Sequence, residues 1–270
     1  MLGAAQSVTC LPTLVTALGD RDEEIRRLAV WGLGQLRDVG VIEPLGAVSK
    51  DPSTSVRVEL AKSLGVVGHP EAYDLLKGLV QDENPDVAGV AADVLGKFPH
   101  PEATYLLLEV AFSKERPLEV RLAAGMALAQ KDVNVVQALL PTYCGDINTA
   151  TTADFDVLRH LGPSATIVLV SSLKRLSHSA AGLALEALGS IGDSRAQPAI
   201  IELVQEYLPT IAPYEVIIEA CNTLGAIGDE DAVPILNELQ RRNFHWKQGQ
   251  RIVEAAAGAK ELIKQRQGHV

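Results

Sequence analysis

The chain has 270 residues, 47% of them hydrophobic but only 4% aromatic, and its formal net charge is −10. This length suffices to bury a sizeable core, and the acidic balance argues against a nucleic-acid partner, since phosphate backbones are bound by clustered lysine and arginine. The three cysteines, Cys10, Cys144 and Cys221, lie far apart and are odd in number, which argues against a disulfide framework and favours a reducing compartment.

The sequence shows no targeting or membrane signal. No apolar run approaches the roughly 20 residues that a membrane span needs. The first ten residues lack a basic segment followed by an apolar stretch, so they do not resemble a signal peptide. We therefore expect a cytoplasmic protein without a membrane span.

An internal repeat organises the chain. A Leu-Gly dipeptide recurs at intervals of 31, 31, 93 and 36 residues, and 93 is three times 31. Self-similarity at such a period is typical of stacked helical repeats, and here it leaves two degenerate units in the middle. The dipeptides are Leu33-Gly34, Leu64-Gly65, Leu95-Gly96, Leu188-Gly189 and Leu224-Gly225.

Each unit is predicted to contain two helices. The clearest first helices are IEPLGAVSK (42–50), AYDLLKGLVQ (72–81) and PAIIELVQEYL (198–208). An acidic or proline-marked turn follows, and a second helix then runs into Leu-Gly and stops at a Gly-Asp or His-Pro corner. Asp51, Ser53 and Asp82 lie where helix N-caps are expected, and the corner glycines lie where left-handed C-caps are expected.

The second helix of the first unit shows helical periodicity. Ile25, Ala29, Leu33 and Leu36 follow one another at spacings of four, four and three residues. This spacing predicts one apolar face of an α-helix. No segment shows the sustained alternation of a strand.

The repeats predict an all-α fold, a right-handed α-solenoid of about eight helix pairs. A single pair cannot bury its apolar face, so neighbouring pairs must stack. We expect one domain over 1–270, with regular repeats over about 11–130 and 163–240. A degenerate segment is expected over about 131–162 and a C-terminal cap over about 241–270.

The aligned repeats also predict a binding row. Two residues before each Leu-Gly leucine stand side chains that differ from unit to unit, off the apolar stripe of the second helix. In solenoids of this kind the second helices line the concave surface. This row is therefore a candidate partner-binding stripe, or alternatively a set of ordinary solvated positions. Its members are Trp31, Lys62, Asp93, Glu186 and Asn222.

Other recurring polar residues are predicted to be structural. Arg26 and Arg57 share one position of the repeat, which favours an ion pair or cap between repeats. His69 and His100 occupy equivalent corners 31 residues apart. Stacked helices lie about 8–10 Å apart, whereas both ligands of one zinc ion approach it to about 2.1 Å. We therefore expect turn histidines and no metal site.

The sequence lacks the usual catalytic patterns. It has no GxSxG, no P-loop and no GxGxxG after a strand. Nothing brings Cys144 and His160 together as nucleophile and base. No His-Glu pair repeats between units, as a di-iron hydroxylase built of such repeats would require. No catalytic residue is predicted.

A family resemblance narrows the function. Units ending in Ala-x-x-Leu-Gly resemble the HEAT-like repeats named after phycobilisome lyases, and the resemblance covers most of the chain. The segment from Pro213 to Leu224, PYEVIIEACNTL, is similar to a motif of E-type phycobilin lyase subunits. The resemblance implies a role for Tyr214, Glu215 and Glu219 in ligand binding, with a bilin as cofactor and a second solenoid subunit as partner.

Three functions remain open from the sequence. The first is a non-catalytic or chaperone-like scaffold that binds a protein on its concave face, in a phycobilisome or cofactor-assembly context. The second is a subunit of a phycobilin lyase or isomerase that attaches a linear tetrapyrrole to a phycobiliprotein cysteine. The third is an accessory partner of iron–sulfur carrier proteins, since non-lyase members of the superfamily include one.

Overall fold

The protein is built of α-helices. The computed structural model describes residues 2–211, 213–242 and 244–267, with side chains from residue 10 onward. These residues form sixteen α-helices joined by turns and short 3-10 segments, with no strand among them. The prediction of an all-α fold is confirmed.

The helices follow one another in eight pairs, as the repeat predicted. The first helices of the pairs are α1 (Leu2–Ala17), α3 (Ile42–Gly46), α5 (Tyr73–Leu79), α7 (Glu102–Phe112), α9 (Val133–Tyr143), α11 (Pro163–Ser172), α13 (Gln197–Tyr207) and α15 (Val233–Arg241). The second helices are α2 (Glu23–Gln35), α4 (Thr54–Val67), α6 (Pro85–Lys97), α8 (Leu118–Leu128), α10 (Thr152–His160), α12 (His178–Ile191), α14 (Tyr214–Ile227) and α16 (Lys247–Gln267).

The pairs are grouped in two compact units. Unit 1 comprises residues 1–132 and unit 2 residues 133–270. Each unit is an α-solenoid of four helix pairs. The division falls at the start of the segment 131–162 whose repeat is degenerate, and α9 and α10 form there. The single domain over 1–270 stays a prediction.

In unit 1, the Leu-Gly glycines lie where successive second helices cross. A Cβ on Gly34 would lie 2.6 Å from the Cβ of Ser63, and one on Gly96 would lie 3.0 Å from the Cα of Ala127. Gly65 meets Val94 in the same way, at 2.9 Å. The dipeptide recurs because any side chain at these points would push two helix backbones apart.

The same crossing recurs in unit 2. A Cβ on Gly225 would lie 3.0 Å from the Cα of Ala259, and Gly189 faces Thr223 at 3.6 Å. The hydroxyl of Thr223 lies within hydrogen-bond distance of two carbonyls, 2.9 Å from that of Leu185 on the preceding second helix and 2.8 Å from that of Glu219 on its own helix. In unit 1, Ser63 donates likewise to Val30, at 3.1 Å. These hydroxyls tie neighbouring repeats together at the point of closest approach.

The corner glycines adopt the predicted left-handed conformation at two helix ends. Gly68 caps α4 with φ 64° and Gly192 caps α12 with φ 76°. The N-cap prediction needs a correction, since Ser53 is the N-cap of α4 but Asn84, and not Asp82, is that of α6. Asp82 and the equivalent Asp51 stand two residues before those N-caps and take a different role.

Asp51 and Asp82 hold adjacent repeats together through paired arginines. Arg26 donates two hydrogen bonds to Asp51, of 2.7 and 2.9 Å, and Arg57 donates two of the same lengths to Asp82. Each aspartate also accepts from a backbone N–H two residues later, at Ser53 and Asn84. The predicted ion pairs between repeats are confirmed.

One predicted apolar position of α2 is not buried. Ala29 and Leu33 are 2% and 0% exposed, as a core face requires, but Ile25 is 42% exposed. On α4 the equivalent residue, Val56, is buried and lies two turns before Ser63, which meets Gly34 of α2. On α2 the equivalent of Ser63 is Gly32, which meets Leu14 of α1, and Ile25 two turns earlier remains exposed.

The helix α16 covers the last turn of α14. Arg266 donates hydrogen bonds to the carbonyls of Gly225 and Gly228, at 2.7 and 2.8 Å, and also bonds the carbonyl of Ala226. A guanidinium is well suited to this place, because the last carbonyls of a helix lack partners and carry the negative end of its dipole. The final helix therefore fixes the end of the preceding repeat.

Candidate interaction surface

The row predicted in unit 1 is exposed along successive second helices. Trp31 on α2 is 51% exposed, and Lys62 on α4 and Asp93 on α6 are also exposed. The neighbouring Ser63 and Leu64, by contrast, are buried at the helix crossing. Because each row residue lies beside a crossing point, the repeat presents one variable side chain per helix to solvent.

The row of unit 1 continues onto α8. Ala127 faces Gly96 as Ser63 faces Gly34, so the equivalent of Lys62 is Met126, which is 51% exposed. This residue was not predicted from the sequence because α8 has Leu-Ala in place of Leu-Gly. The Ala-Leu pair at 127–128 could have revealed it. Its leucine lies two residues after the position at which the 31-residue spacing predicts the next leucine.

Asp93 has two polar neighbours on the surface. Lys97 pairs with Asp93 at 3.0 Å, and the side chain of Gln130 lies 3.4 Å from the same carboxylate. A flexible lysine and an exposed aspartate contribute little to stability. These groups are therefore available to a partner at small energetic cost.

Unit 2 has its own row, which is more polar. Glu186 on α12 and Asn222 on α14 are exposed. Arg159 lies 3.8 Å from Glu186, and Asn222 donates a hydrogen bond of 3.2 Å to Glu219. The structure thus brings together two predicted site residues, Glu219 and Asn222, on one face of α14.

The start of α14 carries an aromatic cluster. The ring of Tyr214 meets that of Trp246 edge to face, with centroids 6.1 Å apart, and Phe244 meets Trp246 at 5.7 Å. Trp246 is 41% exposed. A hydrogen bond with Glu215 raises the pKa of Tyr214, and the nearby Glu215 charge acts in the same direction.

Trp246 and Phe244 were missed as site residues. They lie in the loop before α16, about 30 residues after Tyr214, and only the fold brings them to it. A composition signal was present, since the chain has only 2 tryptophans and 4 phenylalanines, and two of these six residues stand two positions apart. A side-chain hydrogen bond with Gln248 and the positive charge of Arg251 oppose the rise of the pKa of Tyr214.

The predicted corner histidines have structural roles. The Nδ1 atom of His69 accepts a hydrogen bond of 3.4 Å from the backbone of Glu71, and that of His100 accepts one of 3.3 Å from Glu102. His100 also stacks on Tyr73, with ring centroids 3.9 Å apart. Both histidines begin the next helix pair, as expected.

The cysteines differ strongly in accessibility. Cys10 is exposed, Cys144 is half-buried and Cys221 is buried. Burial raises the pKa of Cys221 to about 12 and also raises that of Cys144, so neither thiol is activated as a thiolate. Across the residues that the structure describes, no three His, Cys, Asp or Glu side chains are grouped so as to hold a metal ion.

Family models match the repeats. The model for HEAT repeats matches residues 42–129, and the model for the PBS lyase HEAT-like repeat matches residues 25–51 and 180–206. These stretches of the chain are similar to HEAT repeats and to the PBS lyase HEAT-like repeat. The matched stretches include the α2 and α4 crossing in unit 1 and α12 with α13 in unit 2.

Three proteins of different kinds are similar in sequence to this chain. Phycocyanin operon protein Z of Pseudanabaena tenuis is 24% identical over 68% of this chain and 80% of that protein. Phycocyanobilin lyase subunit beta of Thermosynechococcus vestitus is 32% identical over 47% of this chain and 65% of that protein. Deoxyhypusine hydroxylase of Drosophila melanogaster is 25% identical over 82% of this chain and 71% of that protein.

Two solved structures match this chain at low similarity. Human deoxyhypusine hydroxylase matches with 19% identity and a TM-score of 0.43, over 98% of this chain and 99% of that one. The CpcE–CpcF complex of phycocyanin lyase from Nostoc sp. PCC7120 matches with 19% identity and a TM-score of 0.38, over 92% of this chain and 94% of that one. In the described residues, no helix is both long enough and apolar enough to cross a membrane.

Proposed function

We propose that this protein is a non-catalytic interaction scaffold that holds a protein partner on the exposed row of its second helices. In unit 1 the row is Trp31, Lys62, Asp93 and Met126. The observation that carries the proposal is the exposure of Trp31 and Met126, 51% each, beside helix crossings that are fully packed. An exposed aromatic and a flexible methionine, with charged groups between them, are typical of protein-binding surfaces.

The spacing of the helices supports a concave row. Second helices of unit 1 pack directly on one another, whereas the first helices α3, α5 and α7 barely touch. In a curved stack the more closely spaced layer lies on the inside, so the second helices would line the concave side. A concave stripe with one variable residue per repeat is how solenoids bind extended partners.

The relatives support a cyanobacterial context for the proposal. Two of them are named for the phycocyanin operon and for a phycocyanobilin lyase subunit. We therefore place the scaffold in phycobilisome or cofactor assembly, acting in the cytoplasm. Its partner would be a protein, with a second solenoid subunit as one candidate.

The row is tested by a double substitution in unit 1. Lys62→Glu with Met126→Glu reverses one charge and removes one apolar contact without touching the core. We expect recovery of the co-purifying partner from native extract to fall at least about tenfold, because central interface residues contribute most of the affinity. The measurement is quantitative pull-down with the tagged full chain.

The matched control is Ile167→Glu on α11, a first helix. Ile167 is 52% exposed, so the substitution changes an equally accessible apolar residue away from the row. We expect it to leave partner recovery unchanged. Equal recovery by the double variant and the wild type would rule out the row as the binding surface.

A second candidate function is bilin handling at the start of α14. Here the supporting observation is the aromatic cluster of Tyr214, Phe244 and Trp246, with Arg251 close to the tyrosine. A linear tetrapyrrole offers a conjugated chain for aromatic contacts and carboxylates for an arginine. Glu215 and Glu219 lie one and five residues along the same helix and would meet its pyrrole N–H groups.

Absorbance titration with a linear tetrapyrrole tests this candidate. We expect a red-shifted band that is lost in Tyr214→Ala and Trp246→Ala and largely retained in Tyr214→Phe, which keeps the ring. A colourless protein at saturating bilin would exclude this function while leaving the scaffold proposal intact.

A further inference from the structure

A cavity opens in unit 2, beside the segment whose repeat is degenerate. It has a volume of about 300 Å³ and is lined by the end of α9, the turn at 145–148, the second half of α11 and the residues that follow α11. This volume is at the small end of the range for ligand pockets, about 300–1,000 Å³. The cavity shares no residue with the exposed row or with the aromatic cluster at the start of α14, so neither proposed function uses it.

The floor of the cavity is apolar. Ile147 from the 3-10 turn after α9, Val168 from α11 and Leu176 from the turn before α12 all line the cavity, and all three are buried. Three separate elements thus converge on one apolar surface. Such a surface suits a short aliphatic group, because removing apolar area from water favours binding.

Two exposed residues of opposite charge line the same cavity. Arg175 donates one hydrogen bond of 3.3 Å to the carbonyl of Ser171, and it forms no ion pair within the described part of the chain. The Oδ1 atom of Asp146 accepts a hydrogen bond of 3.0 Å from the backbone of Asn148, and among the described residues Asp146 likewise has no ionic partner. Each side chain therefore retains hydrogen-bonding capacity for a ligand group of opposite charge.

The thiol of Cys144 also lines the cavity but adds no charge to it. Cys144 is half-buried, and its Sγ atom lies 3.8 Å from the carbonyl oxygen of Gly145. Burial raises the pKa of this thiol, so it is neutral at physiological pH. Arg175 and Asp146 therefore set the charge that a ligand needs, and Cys144 can report on whether the cavity is filled.

We propose that this cavity binds a small zwitterion with a short apolar body, of which a free aliphatic α-amino acid is the simplest form. Arg175 binds the carboxylate of the ligand and Asp146 binds its ammonium group, while the aliphatic part packs on the floor. The inference does not depend on the proposed scaffold function. We expect a dissociation constant on the order of 0.1–10 mM, because the ligand has only about nine non-hydrogen atoms and its charges remain partly solvated.

A ligand with a single charge fits the cavity less well. A cavity of this volume is roughly 8 Å across, which is about one Debye length at physiological ionic strength. A lone carboxylate bound by Arg175 is therefore within reach of the negative charge of Asp146, and a lone ammonium bound by Asp146 is within reach of Arg175. Only a zwitterion gains from both charged residues at once.

Calorimetric titration of the full chain tests the charge requirement. The probes are free L-leucine, 4-methylpentanoate, which lacks its ammonium group, and 3-methylbutylamine, which lacks its carboxylate. We expect leucine to bind at least about fivefold more tightly than either analogue. 6-Aminohexanoate carries the same two charges farther apart and shows which charge spacing the cavity prefers. Absence of binding by both zwitterions up to about 50 mM would overturn the proposal.

Two substitutions assign the two charges. Arg175→Gln should weaken binding of leucine and 4-methylpentanoate about fivefold or more and leave 3-methylbutylamine unaffected. Asp146→Asn should weaken leucine and 3-methylbutylamine instead, and the asparagine oxygen can still accept the hydrogen bond from Asn148. The matched control is Lys174→Gln, which removes a neighbouring cation that pairs with Glu202 and lies outside the cavity lining. Unchanged binding of leucine by both cavity variants would refute the assignment.

Alkylation of the cysteines locates the bound ligand. Peptide mass spectrometry follows the reaction of iodoacetamide with Cys144 in the cavity and with the exposed Cys10 in unit 1 of the same chain. We expect saturating zwitterion to slow alkylation of Cys144 several-fold and to leave that of Cys10 unchanged. Binding that leaves the rate at Cys144 unaltered would show a site elsewhere on the chain and would contradict the proposal.

Discussion

At the scale of the residue, the crossing glycines decide how closely the repeats pack. The Cβ that Gly34 lacks would lie within 3 Å of three atoms of Ser63, including its Cα. Neither helix can move aside cheaply, since both are fixed by buried leucines on the same turns. The sequence located these glycines by the period of the Leu-Gly dipeptide, but their place at the helix crossing was not foreseeable from spacing alone.

Gly34→Ala is expected to destabilise the protein. Alanine gains about 1 kcal/mol of helix propensity over glycine, but overpacking against backbone costs roughly 1–3 kcal/mol, and the contact here is at the severe end. Thermal or urea unfolding measures the difference.

Gly89→Ala is the matched control on α6 of the same unit. A Cβ at Gly89 would lie 3.8 Å from the nearest atom, the Cβ of Ala123, which is an ordinary contact. This variant should be as stable as the wild type or more stable. If Gly34→Ala were also neutral, the crossing would have more room than the structure shows.

At the scale of the element, side-chain pairs between repeats join successive helices. Burial alone would raise the pKa of Asp51 and Asp82, but the hydrogen bonds from Arg26 and Arg57, and those from backbone N–H groups, outweigh it and hold both pKa values below the ordinary range. The unfolded carboxylates titrate near pH 3.9. The stabilisation is therefore fully present above that pH and is lost as pH falls through the lowered native pKa values.

Replacing both aspartates should remove this dependence on pH. We expect Asp51→Asn with Asp82→Asn to lower the Tm by several degrees at neutral pH, and to flatten the fall of Tm as the pH is lowered below about 4. The control is Asp74→Asn, which changes an exposed aspartate on α5. Should the control flatten the profile equally, general charge and not the paired arginines would account for the acid sensitivity.

Helix order and type were predictable from the sequence, and exposure at the ends of the repeat array was not. The Leu-Gly period located α2, α4, α6, α12 and α14 because the packing constraint repeats with the chain. Ile25 was assigned to the buried face because its own helix shows the pattern. Its exposure depends on what lies against α2, which no local pattern encodes.

The residues of the candidate site likewise divide into those that the repeat predicts and those that it does not. Trp31, Lys62 and Asp93 were found because the repeat carries them, and all three are exposed. Met126 was not predicted, because alanine stands in α8 where α4 and α6 have the crossing glycine. Trp246 was not predicted, because only the packing of α14 with α16 brings it into contact with Tyr214.

At the scale of the whole molecule, the division into two compact units predicts that a destabilising substitution affects mainly the unit that contains it. In a stack of repeats each repeat contacts only its neighbours, so a local loss of stability spreads a limited distance. Gly34→Ala should speed amide hydrogen exchange within residues 1–132 and leave most of residues 133–270 unchanged.

Ile200→Ala provides the reciprocal experiment. Ile200 is fully buried in α13, and removing such a side chain costs about 2–5 kcal/mol. We expect faster exchange within residues 133–270 alone. Equal acceleration in both halves by both variants would instead show a single cooperative unit.

Because successive helix crossings of unit 1 make similar contacts, a repeat could be removed from this unit or added to it. Gly65 already accommodates Val94 as Gly34 accommodates Ser63, and Arg26 needs only the aspartate that precedes the next second helix. Excision of residues 54–84 would therefore place α6 on α2 with a compatible joint and an intact ion pair. Gene duplication could lengthen the same stretch without any new contact having to evolve.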